Sequence, residues 1–362
     1  LNATGKFAAA AGAPVLLNVF LCGAMIWAAQ SGGDVARALV WAVPVGGVAQ
    51  LALVWWAADK AGFRLIPRLP RMTPDLKRLV IIAAPAALAG GVVQINLLVG
   101  RQVASFFDGS LQYLNLADRL YQLPLGVVAI AIGVVLLPEL SRRLQAGDDV
   151  GGRDGFNRAA EFALLLTLPA AVALIVIPLP LISVLFERGR FGADDAAATA
   201  TAVAIYGLGL PSFVMQKVLQ PLYFAREDTK TPFRYALVAM VINAVLAVGL
   251  SPYIGYLAAA VGTSFASWAM VGLLWFGSRR MGSAATLDQR FIRRSVRIAL
   301  AAVFMGFVLL AGQYLLQTAL YMPGWRYLAL FALIATAMVA YYVIALMLGA
   351  FRLSDIRAAT RR

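Results

Sequence analysis

Ten apolar runs, each long enough to cross a lipid bilayer, dominate this chain of 362 residues. They lie at roughly 13–30, 36–57, 79–106, 114–140, 158–186, 196–223, 233–251, 254–277, 297–317 and 326–350. A spanning helix needs about 20 predominantly apolar residues. Backbone amides in lipid must be paired within their own segment, so the expected fold is an all-α polytopic bundle of about ten transmembrane helices. Composition agrees: 62% of residues are hydrophobic and 13% charged, against about half and a quarter in a soluble domain. Several runs exceed one bilayer thickness, so tilt or extension into water is expected.

The basic residues give the expected orientation. The two chain ends and the connectors after even-numbered spans hold 24 of the 31 Lys and Arg residues. The opposite side holds 4, namely Arg37, Arg188, Arg190 and Arg326, while Arg101, Arg119 and Lys217 lie within spans. Basic loops stay in the cytoplasm, which predicts cytoplasmic termini. It also accounts for the net charge of +14 without a nucleic-acid partner. Histidine is absent and Cys22 is the single cysteine, so the commonest general base and metal-ligand clusters are missing. The chain starts Leu1-Asn2 with no initiator Met, which reads as a cut within a larger protein.

Two basic connectors mark the expected divisions. Residues 1–57 hold two spans, 58–78 form a Pro-containing cytoplasmic linker, and 79–277 form a six-span block. Residues 278–297 form a second connector, and 298–362 a final helical pair with a basic tail. Pro85, Pro124, Pro169, Pro178, Pro180 and Pro211 fall inside spans; each removes a backbone hydrogen bond, and together they favour a bundle able to bend.

Arg119 is the most informative single residue. Ions within a membrane are costly and usually face protein or a water-filled cavity. Helical spacing places Arg119, Gln122, Gly126, Ala129 and Gly133 on one polar, small-residue face, beside Asp118. Such a stripe can present a guanidinium fork to a phosphate or carboxylate; a structural ion pair with Asp118 is the other reading. Lys217 lies nine residues before Arg226, and either faces a cavity or snorkels to the surface.

The stretch 217–232, KVLQPLYFAREDTKTP, joins the sixth and seventh spans. Asp228 and Thr229 can bond local amides, and Thr231-Pro232 suits a first helical turn. It reads as a capped turn, including Arg226, that sets the angle between two spans. The chain shows no Ser–His pair, metal cluster, glycine-rich phosphate loop or sizeable soluble domain. Asp118 and Glu139 are the only carboxylates of the central block expected near the membrane. These absences point to transport rather than catalysis, with no cofactor.

This stretch, together with LAAAVGTSFASW, ADRLYQLPLGVVAIAIGVVLLPELS, APVLLNV and WAVPVGGVAQL, resembles the MurJ/MviN lipid II flippases over essentially the whole chain. The resemblance implies a fourteen-helix exporter fold with two six-helix lobes and two extra C-terminal helices, of which this chain would carry helices five to fourteen. It implies movement of the undecaprenyl-pyrophosphate-linked peptidoglycan precursor from cytoplasmic to periplasmic leaflet by alternating access. Lipid II, membrane lipids and cell-wall synthesis proteins are the implied partners, with membrane potential or an ion gradient as the driving force. By the same resemblance Arg119 is an essential cavity arginine that engages the headgroup, and Asp118, Gln122 and Lys217 are expected to bind the substrate with it. Lys217, Arg226, Asp228 and Pro232 match a family signature that also takes in Thr231. Some members hold sodium in the second lobe; here Asn243 and Thr263 match two of those ligands, while Gly100 and Ala247 stand where carboxylates are expected. Some also have a glutamate at the Gln122 position. The alternatives are an exporter of another polyprenyl-linked glycan or of drugs, a membrane glycosyltransferase, and a non-transporting scaffold.

Overall fold

A computed structural model of the chain describes residues 8–62, 73, 77, 91, 94, 98–131, 140, 142–143, 146–282 and 285–351. Most of the third span, most of the 58–78 linker, Gly133, Glu139 and the basic tail after residue 351 lie outside the described residues. Among the described residues the structure is helical, and the one extended pairing is an isolated bridge between Arg188 and Phe191. Eight helices among the described residues are long and apolar enough to cross a membrane. The chain falls into two compact units, Leu1–Val80 and Ile81–Arg362.

The first unit contains α1 (Ala8–Ser31) and α2 (Val35–Lys60). Gly32 at φ +68° lets the Gly33 amide reach back to the Ala28 carbonyl at 3.0 Å, a left-handed stop that suits glycine. Asp34 then caps α2 by accepting from the Ala36 amide at 2.9 Å. The two helices pack closely at Gly46, where an added Cβ would lie 2.6 Å from Leu17 Cδ1. Small residues serve close helix approach in lipid, where no hydrophobic force drives helices together.

The second unit contains α3 (Ser110–Ala131), α4 (Asp149–Val176), α5 (Pro178–Phe186), α6 (Ala193–Phe224), α7 (Lys230–Ile254) and α8 (Leu257–Ser278). It continues with α9 (Gln289–Leu315), the short α10 (Gln317–Tyr321) and α11 (Arg326–Met347). The run 158–186 reads as one span but is two helices: Ile177 leaves helical geometry and Pro178, lacking an N–H, starts α5. Proline is well placed at a first helical position, where its amide would be unpaired anyway. By contrast α6 continues through Pro211 and Pro221.

Helix α6 is the hub, packing against α3, α4, α5 and α8, and α8 also pairs with α7. The α6–α8 seam is small and polar. Ser212 Oγ donates to Ser267 Oγ at 2.6 Å, Gln216 Nε2 donates to the same oxygen at 2.5 Å, and Ser264 Oγ donates to the Ile205 carbonyl at 3.0 Å. A second apolar core joins α4 and α5 to α9, α10 and α11. Tyr341, fully buried on α11, donates its hydroxyl to the Leu165 carbonyl of α4 at 2.7 Å.

Candidate functional site

Helix α3 is seated by its start. Gly109 at φ +72° turns the chain, and the buried Ser110 hydroxyl reaches the Ala104 carbonyl at 2.6 Å. Tyr113 then donates to Asp195 Oδ1 of α6 at 2.5 Å. Further along, Tyr121 packs between Tyr206 and Phe213 of α6, with ring centroids 4.9 and 5.0 Å away. Both contacts advance in the same chain direction, so α3 and α6 run parallel. Ala117 and Val128 are buried with this face.

The opposite face of α3 is open. Arg119 and Gln122 are exposed on it, and an added Cβ at Gly126 would meet nothing within 4 Å. Asp118 is half-buried and accepts a hydrogen bond from Gln122 Nε2. The Asp118 carboxylate is therefore engaged by an amide. Arg119 makes no ion pair or side-chain hydrogen bond among the described residues, so the Asp118–Arg119 ion pair considered from the sequence does not form. All five guanidinium N–H donors remain available, in a planar fork that matches phosphate and carboxylate oxygens. The polar stripe is also longer than expected. Gln112 and Asn115 are exposed at helical spacing before Arg119, and the first of them lies before the expected span start at 114.

Lys217 is also exposed and makes no ion pair among the described residues. It does not join Arg119. The α3–α6 contacts place Arg119 level with the 201–207 stretch of α6, so Lys217 lies roughly 15–24 Å farther along the axis at about 1.5 Å per residue. Two unpaired cations thus occupy different depths of one bundle.

The 217–232 stretch forms the end of α6, a tight turn and the start of α7. Glu227 takes φ +60° so that the Asp228 amide can return to the Tyr223 carbonyl at 3.1 Å, a helix stop usually made with glycine. Arg226 closes the end, donating to the Leu222 carbonyl at 2.8 Å and to the Met281 carbonyl at 2.9 Å. Burial lowers the pKa of its guanidinium, with the Asp149 carboxylate opposing that shift. Asp228 accepts from the Thr231 amide at 3.0 Å. Bonds from the Thr231 hydroxyl and amide hold the Asp228 carboxyl below its ordinary range. Pro232 is buried in the first turn of α7. In the structure these residues build the joint itself.

Asn243 is fully buried on α7, where an added Cβ at Gly262 would lie 2.6 Å from its Oδ1. The Thr263 hydroxyl donates to the Ala259 carbonyl at 2.8 Å, within its own helix. Gly100 and Ala247 bring no side-chain oxygen, and no group of three acidic or metal-binding residues occurs among the described residues. A hard cation requires several oxygen ligands, so these residues do not fit a sodium shell.

A carboxylate the sequence did not single out is Glu161. It is 7% exposed and pairs with Arg294 at 2.8 Å and Arg290 at 3.5 Å, across from α4 to α9. Its partners stand about 130 positions later in the chain, in what reads as a solvated basic connector.

Comparison with known proteins identifies this architecture. The model of the family described as lipid II flippase MurJ matches residues 1–348. The chain is 41% identical to the probable lipid II flippase MurJ of Rhizobium meliloti (strain 1021), aligning over 100% of its own length and 69% of that protein. It is 34% identical to the corresponding protein of Vibrio cholerae serotype O1, over 99% of this chain and 69% of that one. Its fold is similar to a solved structure of lipid II flippase MurJ in an inward closed conformation, with a TM-score of 0.76 and 24% identity over 96% of this chain and 69% of that one. The chain belongs to the MurJ family of lipid II flippases.

Proposed function

We propose that this chain moves lipid II from the cytoplasmic to the periplasmic leaflet by alternating access, with Arg119 holding the anionic headgroup during passage. It is a transporter rather than an enzyme. The observation that carries the site is the guanidinium of Arg119, without an ion pair or side-chain hydrogen bond among the described residues, on the open, polar face of α3. In this mechanism the polyprenyl chain stays in lipid while the pyrophosphate and sugar-peptide cross inside the protein. Desolvating the pyrophosphate is offset by charge-assisted hydrogen bonds from the arginine fork. Lys217, nearer the cytoplasmic end of α6 in this orientation, supplies another cationic station on the side from which the headgroup enters. With the basic connectors and both chain ends in the cytoplasm of the bacterial inner membrane, the headgroup travels outward. The membrane potential, negative inside, drives an anion in that direction by about 2.3 kcal/mol per charge per 100 mV. Cell-wall synthesis proteins would consume the product at the periplasmic face.

The test is a lipid II accessibility assay in cells depleted of their own flippase and supplied with the protein carrying this chain. Unsubstituted protein restores periplasmic exposure of lipid II. Arg119→Ala abolishes it at equal membrane abundance, and Arg119→Lys, which keeps the charge but loses the fork, restores it in part. Full rescue by Arg119→Ala would remove Arg119 from this role.

A further inference from the structure

The joint between α6 and α7 encloses something the flipping reaction does not use. A cavity of about 430 Å³ opens beside the turn, lined among others by Asp228, Tyr235, Phe276 and Arg280. A single water occupies about 30 Å³ of liquid, and sites for small organic ligands begin near 300 Å³. The cavity is therefore sized for a molecule rather than an ion.

Its lining carries unspent polar groups. Arg280 is exposed at the C-terminal end of α8 and its guanidinium has no partner among the described residues. Asp228 shares the cavity, yet the two opposite charges form no ion pair with each other. The Tyr235 hydroxyl makes no hydrogen bond among the described residues, whereas Tyr223, which it meets edge-on at 6.3 Å, donates to the Leu274 carbonyl at 2.6 Å. Room for both rings depends on Gly277, where an added Cβ would lie 2.5 Å from each hydroxyl oxygen. The space is thus built by a glycine and two converging tyrosines, with a cation and an anion held apart.

Position narrows the ligand. The cavity lies where α6 and α8 end and α7 begins, at the surface end of three spanning helices. Phe276 is 63% exposed at its rim, and Arg279 stacks over that ring at 4.9 Å; an aromatic paired with a cation is typical of the membrane–water boundary. A purely anionic headgroup would meet the Asp228 carboxylate, and a simple cation would meet Arg280. A headgroup carrying both charges satisfies both.

We propose that this cavity is a binding site for a zwitterionic phospholipid headgroup bearing a primary ammonium, with the phosphate on Arg280 and Tyr235 and the ammonium on Asp228. The ammonium has three N–H donors for the carboxylate, and a trimethylated headgroup has none. The acyl chains leave past Phe276 into the bilayer. The bonds from Thr231 hold the Asp228 carboxyl below its ordinary range, which favours the anionic form that the ammonium would meet. A lipid held here would brace the α6–α7 joint.

The test uses the protein carrying this chain, purified in mild detergent and stripped of lipid. It is titrated with short-chain phosphatidylethanolamine, phosphatidylcholine and phosphatidylglycerol, and separately with soluble phosphoethanolamine. Binding is read by native mass spectrometry and by thermal unfolding. The expected result is preference for phosphatidylethanolamine over both other lipids, with weaker binding of the soluble headgroup. Arg280→Gln should reduce that affinity about tenfold or more, the size of one lost charge-assisted hydrogen bond, and should remove the preference over phosphatidylcholine only in part. Asp228→Asn should abolish the preference over phosphatidylcholine. Because Asp228 also holds the turn, Arg280→Gln, at an exposed position whose side chain makes no hydrogen bond or ion pair among the described residues, keeps the test decisive. Equal binding of all three lipids, preference for phosphatidylglycerol, or unchanged binding in Arg280→Gln would each overturn the proposal. Soluble phosphoethanolamine binding as tightly as the lipid would overturn the membrane as its source.

Discussion

Arg119 and Asp228 show how neighbours decide what a charged side chain is for. Arg119 was legible in the sequence because an arginine within an apolar run has few alternatives, but its freedom was not. Only the structure shows the adjacent Asp118 turned to Gln122, leaving the guanidinium unspent. Asp228 is the opposite case, a carboxylate whose fold role is visible locally as D-x-x-T. Its folded-state pKa is depressed by Thr231. Its contribution to the turn is therefore present above the ordinary carboxylate range and lost as pH falls through the lowered value. Hydrogen exchange at the Thr231 amide, corrected for intrinsic rates, should show constant protection from neutral pH down into the ordinary carboxylate range and a loss only below that range. In Asp228→Asn the neutral oxygen bonds more weakly, so protection should be lower throughout and insensitive to that acid step. Protection that falls already near pH 6 would show that another group holds the turn.

At the scale of helices, the seam between α6 and α8 depends on side-chain smallness. An added Cβ at Gly209 would lie 2.7 Å from Ser264 Oγ and 3.0 Å from Ser264 Cβ. The serine cannot simply swing away, since its hydroxyl is bonded to the Ile205 carbonyl. Gly209→Ala should therefore force the helices apart and cost about 1–3 kcal/mol, as overpacking does. The helix-propensity gain of alanine over glycine is about 1 kcal/mol and offsets only part of this. Ser264→Gly in the same protein should recover most of the loss, read as the detergent-solubilised unfolding temperature of the single and double variants. Unchanged stability in the single variant would mean that the seam has slack. The apolar runs made most helices legible, because lipid leaves the backbone no other choice. What they hid was the ends. The break at Ile177 lies inside a run whose hydropathy never drops, and α9 begins at Gln289, eight residues before its apolar run, because Asp288 caps it by accepting from the Phe291 amide at 2.6 Å.

Across the whole second unit, α4 ties the helices that follow it into one body. Arg153 Nη2 donates to the Leu287 carbonyl at 3.3 Å. Asn157 donates to the Thr286 carbonyl at 3.0 Å and accepts from the Asp288 amide at 3.1 Å. The segment that reads as a free basic connector is thus docked on α4 just where Glu161 meets Arg290 and Arg294. No sequence pattern could have shown this, since the partners are far apart in the chain and each looks like ordinary charge near a membrane surface. A carboxylate this buried, its Oε1 without a hydrogen bond among the described residues, is stabilising only while its cations stay in place. Removing one member of a buried ion pair typically costs about 3–5 kcal/mol, whereas replacing the pair with well-packed apolar residues is often neutral. Glu161→Leu should accordingly destabilise the protein by several kcal/mol, and adding Arg290→Leu and Arg294→Leu should restore most of it. The informative measurement is lipid II exposure by the triple variant. If α9 and α11 only have to move together with α4, apolar packing replaces the ion cluster and flipping survives. If the cluster must open during the cycle, the triple variant will be stable but unable to flip, because an apolar contact offers water no way in to separate the helices. The bonds from Arg153, Asn157 and Tyr341 persist in every variant and favour common motion, so retained flipping is the expected outcome.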